Sequence, residues 1–272
     1  MKSLRRKIYE LFPERSIRCD VEGNIVGLFL RSLFIKELPK ELFQLTKLRY
    51  LELDSNQLTK LPAEIGKLTR LEKLDLNFNQ LTELPAEIGK LTNLKELYLI
   101  RNQLTVLPTE LFQLTNLRYL YLENNKLTHL PAEIGKLLEL RMLRLENNKF
   151  TYLPLEIGNL VNLRILSLCH NKLTELPPEI GNLTKLISLD LRNNQLTEVP
   201  VEIVKLTRLL TLQLSNNQLT DLPVELDKLT NLRKLGPTLD PTKKSLSEML
   251  EELSRLVNLK YLSQLYLLDD KC

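Results

Sequence analysis

The chain has 272 residues and a formal net charge of +4, from 38 Lys and Arg against 34 Asp and Glu. Both signs are mixed along its length, which argues against a dedicated nucleic-acid surface. With 8 Gly and 13 Pro there is no composition for a long disordered linker. Cys19, Cys169 and Cys272 make an odd count with no tight spacing and read as reduced thiols.

At the start, Leu4, Ile8 and Leu11 are spaced for one face of a short helix, with Ser3 as a cap and Pro13 as a stop. Basic Lys2, Arg5, Arg6 and Lys7 are followed by Glu10, Pro13 and Glu14, so no apolar run is long enough for a signal peptide or a membrane span. That predicts a cytoplasmic protein without membrane contact, with export lacking a cleavable signal as an open alternative. Ile17, Cys19 and Val21 alternate with polar residues, Gly23-Asn24 makes a turn, and Ile25, Val26, Leu28 and Leu30 follow, so a strand, a turn and a strand are expected. Residues 1–24 form an N-terminal cap in this reading.

From residue 25 to 235 one pattern returns about nine times. Asn56, Asn79, Asn102, Asn125, Asn148, Asn171, Asn194 and Asn217 stand 23 residues apart, and Pro39, Pro62, Pro85 and later prolines keep the same pitch. Regular units start at Leu48, Leu71, Leu94, Leu117, Leu140, Leu163, Leu186 and Leu209. Counting each from its first Leu, apolar residues fall at positions 1, 4, 6, 11 and 14, with Asn at 9. The alternation at Leu120 and Leu122 has strand period. Such a strand is too short to fold alone, and stacking the units lines up a parallel sheet with leucines on its inner side. The Asn side chain, with one acceptor and two donors, suits the backbone groups left unpaired where the chain turns inward, in its own unit and the next. After the Pro, Ile134 and Leu137 lie three apart, as on a short helix or 3₁₀ turn. In the first unit Leu33 replaces the Asn. Residues 236–272 are expected to form a C-terminal cap, with a helix from about residue 245 to 256 opened by a Ser245/Glu248 capping box and then a degenerate repeat.

This pattern resembles the leucine-rich repeat family. The LPAEIGKL turn, as at 130–137, is similar to those of Ras-group leucine-rich repeat proteins and of repeat proteins from bacteria such as leptospires. The resemblance implies an α/β solenoid bent into a horseshoe, with the sheet on the concave face and short helical or 3₁₀ turns on the convex face. It implies a scaffold that binds a partner protein, a small GTPase or a host protein among the classes suggested, and a monomer with no cofactor. A secreted effector or surface adhesin, and a regulatory or inhibitor subunit of an enzyme, remain alternatives.

No enzyme is visible. His129 and His170 sit at different places in their units, no Cys/His pair has zinc spacing, and Cys169-His170 lacks anything to orient the His. The recurring Glu123 and Glu146 read as a solvated carboxylate row, not a metal site. Positions 3, 5, 7 and 8 vary while the leucines do not, as on a binding face held by a rigid scaffold. Near the middle they bring together Tyr98, Ile100, Arg101, Tyr119, Tyr121, Met142 and Arg144, bordered by Phe78 and Ile165, with Glu123 and Glu146 at the far edge. Exposed Tyr, Met and Arg make up interface hot spots, which marks this set as the expected partner-binding patch.

Overall fold

The computed structural model describes residues 2–235. The expectations for 236–272 lie outside the described residues. The chain divides into two compact units, Met1–Leu127 and Thr128–Cys272.

The first unit begins with helix α1, Lys2–Leu11. Its buried side chains are Ile8 and, just past its end, Phe12, while Leu11 is 49% exposed. Ile8 and Phe12 are four apart and so share a face, which corrects the expected Leu4, Ile8, Leu11 stripe. Ser3, the expected cap, lies inside the helix. Strand β1 (Ile17–Cys19) then runs antiparallel to β2 (Ile25–Phe29), across a turn at Gly23 with φ +79°. This is the strand, turn and strand that the alternation predicts. Parallel three-residue strands follow: β3 (Tyr50–Glu52), β4 (Lys73–Asp75), β5 (Glu96–Tyr98) and β6 (Tyr119–Tyr121). The second unit has β7 (Met142–Arg144), β8 (Ile165–Ser167), β9 (Ser188–Asp190), β10 (Thr211–Gln213) and β11 (Lys234–Leu235), again parallel.

Within each unit the register equals the sequence period: Leu74 faces Leu97, and Leu97 faces Leu120. Each leucine column therefore stacks on itself, and Leu94, Leu97, Leu99 and Leu104 have no exposed surface. Asparagine closes each turn. The Asn102 side-chain amide donates to the carbonyls of Leu76 (2.9 Å) and Leu99 (3.1 Å), while its oxygen accepts from the Leu81 N–H (3.0 Å). The neighbour it serves is the preceding repeat, not the following one. Leu33 stands at the first turn because no earlier repeat needs this bond, and Asn56 reaches back to its N–H (3.1 Å). A second amide series runs on the surface. Asn93, Asn116, Asn162 and Asn231 donate to the carbonyls of Thr69, Thr92, Leu138 and Thr207, each 24 residues earlier.

Opposite the strands lie 3₁₀ turns such as Ala63–Lys67, Ala86–Lys90 and Leu155–Asn159. From Pro62 to Pro200 the repeated Pro sits one residue before the turn with extended backbone, and its carbonyl accepts the first turn bond, as Pro62 does from the Ile65 N–H (3.0 Å). Where a turn carries Gly, at 66, 89, 135, 158 and 181, the Gly has a reason of its own. A Cβ added at Gly158 would lie 2.5 Å from the Glu179 carbonyl oxygen, so only hydrogen lets successive turns approach.

Two outcomes follow. Asn102→Ala strands a buried N–H and two carbonyls and should cost about 1–3 kcal/mol in urea unfolding. Gly158→Ala forces backbone apart and should cost a similar amount, about 1–3 kcal/mol. An Asn102 variant as stable as the parent would contradict the bonding role.

Candidate functional site

The side of the sheet away from the leucines carries positions 3, 5 and 7 of every repeat. Register puts equal positions side by side, roughly 4.8 Å apart. In the first unit, position 3 reads Lys73, Glu96, Tyr119 and position 5 reads Glu52, Asp75, Tyr98, Tyr121.

Seven of the expected patch residues belong to this unit. Tyr98 and Tyr121 stack with ring centroids 4.7 Å apart at 19°. Tyr119 and Ile100 are half-buried beside them. The Tyr98 hydroxyl donates to Glu96 (2.9 Å), and burial together with that carboxylate pushes the Tyr98 phenol well above its usual range. Lys73 Nζ stands 5.3 Å from the Tyr98 ring centroid and pairs with Glu52 at 2.6 Å. Arg101 lies over the Phe78 ring at 5.5 Å. Glu123 is 5% exposed. Met142, Arg144 and Glu146 are on the first strand of the second unit and just after it. Met142 and Arg144 are half-buried, while Glu146 is buried, with Arg144 Nε 4.0 Å from its Oε1. Burial raises the Glu146 carboxyl above its ordinary range, with Ser167 and Arg144 opposing. Ile165 is half-buried on β8.

Two expectations need correction. Glu123 and Glu146 are buried, so the carboxylate row is not a solvated edge. The thiols also differ: Cys19 is free, but Cys169 is fully buried and disulfide-bonded.

Position 8 has its own logic. Ser55, Phe78, Arg101, Asn124, Asn147, His170, Asn193 and Asn216 all adopt left-handed backbone, φ between 52° and 58°. Asn tolerates this region and explains itself there. Phe and Arg do not. Phe78, 46% exposed, and Arg101, also exposed, hold strained backbone without burial to offset it.

Sequence reading left Asp75, Glu52 and Asp54 out of the patch. Asp75 is 7% exposed and accepts a hydrogen bond from the Asn77 N–H (3.0 Å). Burial raises its carboxyl to about 6. Asp54 and Glu52 push the same way, while the Asn77 N–H and Lys73 oppose. Asp54 pairs with Arg31 at 2.7 Å through one oxygen, while its other oxygen is buried with no hydrogen-bond partner. Position 5 of the repeat puts Asp75 beside Tyr98 in the register, but its burial and its lack of an ion pair leave no trace in the sequence. Among the described residues no group of three or more His, Cys, Asp or Glu is placed to hold a metal ion, and no helix is long and apolar enough to cross a membrane.

A family model for a leucine-rich repeat region matches residues 35–117 and 155–271, and a second leucine-rich repeat model matches 92–150. This chain belongs to the leucine-rich repeat family. It is 39% identical to a leucine-rich repeat protein of Leptospira interrogans over 83% of this chain, with a TM-score of 0.63; it spans 62% of that protein's chain. It is 30% identical to the Arabidopsis receptor kinase HAESA, solved in complex with the peptide hormone IDA and the co-receptor SERK1, covering 82% of this chain and 40% of that one with a TM-score of 0.73. An internalin of Listeria monocytogenes shares the fold at 24% identity and a TM-score of 0.63, over 86% of this chain and 75% of that one. No curated protein sequence matches the chain.

Strain and burial each give a measurable outcome. Phe78→Asn should stabilise the protein by about 1 kcal/mol, since Asn relieves the left-handed cost and little buried apolar surface is lost. Denaturant unfolding checks it, and a destabilised variant contradicts the strain. Asp75 has a folded pKa of about 6 against an ordinary 3.8. Its protonated form therefore favours the fold: the contribution is full below about pH 4 and is lost as pH rises through 6. The groups around it are Glu52 and Asp54, Lys73, and Glu96 with Tyr98, from the three strands meeting there. Asp75→Asn should gain on the parent between pH 5 and 7.5; an unchanging difference would contradict the shift.

Proposed function

We propose that this leucine-rich repeat chain binds a partner protein, and that the docking surface is the strand face of its first unit around Phe78, Tyr98, Arg101 and Tyr121. This is the concave side of the horseshoe that the repeat implies. One observation carries the reading: Phe78 and Arg101 occupy left-handed backbone where four other repeats place Asn, and both side chains are exposed. A residue that costs stability and gains no burial in the chain itself has its benefit elsewhere, and strained residues cluster at ligand clamps. Next to them, the stacked tyrosine pair offers rigid amphipathic area at low entropic cost. Fold alone does not fix function. The HAESA structure, with its peptide hormone and co-receptor, supports binding as the general role of such modules.

The test combines Phe78→Asn with Tyr121→Ala. Neither change touches the leucine columns or the asparagine series. Partners are captured by cross-linking from a lysate of the native organism and read by mass spectrometry, with parent and variant chains in parallel. At least one protein recovered reproducibly with the parent should be lost from a variant that unfolds as cooperatively as the parent. Undiminished recovery of every specific partner would place the docking surface elsewhere.

A further inference from the structure

The charges of the first unit's strand face do not balance within the chain. Two cations are committed: Arg31 to Asp54 at 2.7 Å, and Lys73 to Glu52 at 2.6 Å. Asp75 lies beside both pairs. It is buried, its carboxylate accepts from the Asn77 N–H, and no described cation forms an ion pair with it. Close by, one buried Asp54 oxygen has no hydrogen-bond partner. Carboxylate charge without an ion pair in a dry sheet face is costly, and it persists here next to an Asp54 oxygen that has no donor. Both deficits are for the same thing, a cation that carries N–H groups.

The aromatic neighbours agree. Asp75 faces Tyr98 in the register, and Tyr98 stacks on Tyr121, so one row holds a carboxylate followed by two rings. A guanidinium or ammonium head satisfies a carboxylate, and the rim and face of a tyrosine attract the same cation and cover its aliphatic stem. An acidic segment would meet Glu52, Asp54, Asp75 and Glu96 as like charges. A bare metal ion lacks the ligand set, since no group of three candidate ligands is assembled among the described residues.

We infer that the partner presents a basic side chain, arginine or lysine, whose head group binds Asp75 and whose stem lies along Tyr98 and Tyr121. This rests on the docking surface proposed above and specifies the chemistry of its occupant. Tyr98 and Tyr121 supply the area, and Asp75 supplies the selection.

A random peptide library displayed on phage tests it, selected in parallel on the full chain, on Asp75→Asn and on Tyr98→Ala/Tyr121→Ala. The Asn variant keeps the shape and removes a charge, and circular dichroism confirms its fold. Peptides selected on the parent should share an arginine or lysine at one position, and Asp75→Asn should lose that preference. Replacing that residue of a selected peptide by Gln should weaken binding to the parent by about ten-fold or more, and binding to Asp75→Asn far less. Peptides that need the tyrosines but share no basic residue would overturn this inference and leave the docking surface standing. A basic preference unchanged in Asp75→Asn would do the same. A selection yielding no tyrosine-dependent peptide would overturn both.

Discussion

One buried amide, repeated, makes the rest possible. A three-residue strand followed by an inward turn leaves carbonyls and N–H groups in an interior lined with leucine, where each unmet group costs about 1–3 kcal/mol. The position-9 asparagine meets three of them at once, two carbonyls and one N–H, and spans two repeats in doing so. Its reach admits one spacing only, so the register of neighbouring strands is the sequence period and the leucine columns close without gaps. Glycines 66, 89, 135, 158 and 181 are a matching device on the other side, since at each of them the next turn's backbone or side chain lies where a Cβ would stand.

A register locked to the period has a consequence for the surface. Residues that are 23 apart in sequence become cross-strand neighbours, so the strand face is written in rows. Position 5 of the first unit places Asp75, Tyr98 and Tyr121 in line, and position 8 lets Phe78 and Arg101 meet across a left-handed bend. Here the scaffold carries two departures side by side: a buried carboxylate without an ion pair, and Phe78 with Arg101 on strained backbone. Both departures fall on one face of one unit, which is why that face, and not the more regular polar rows at 188–216, carries the functional reading.

The fold was legible because its cause is periodic. Leucine spacing, the asparagine series and the proline comb each repeat, and eight aligned copies average out local ambiguity. Non-periodic parts were less readable. Helical spacing alone points the α1 stripe at Leu11, because it does not say that Phe12 lies just beyond the helix and still shares the face of Ile8. Strain at position 8 is hard to read because backbone φ leaves only a faint trace in composition, four asparagines out of eight. Glu123 and Glu146 suggest solvation because a charged residue on a strand face suggests water, yet both are buried. Asp75 escaped notice because its importance lies in what its neighbours are already bonded to, which needs distances.

The most direct measurement of the central claim removes one repeat in and out of phase. Deleting residues 163–185 takes out one full period, whereas deleting 163–184 shifts every later asparagine by one residue. Thermal unfolding followed by circular dichroism should show a single cooperative transition, somewhat lowered, for the first deletion. The second should be destabilised further and should uncouple the repeats on the two sides of the junction, as Asn194 falls one residue out of step with the repeat before it. Equal unfolding of the two would contradict the account, because it would mean that the period does not set the register.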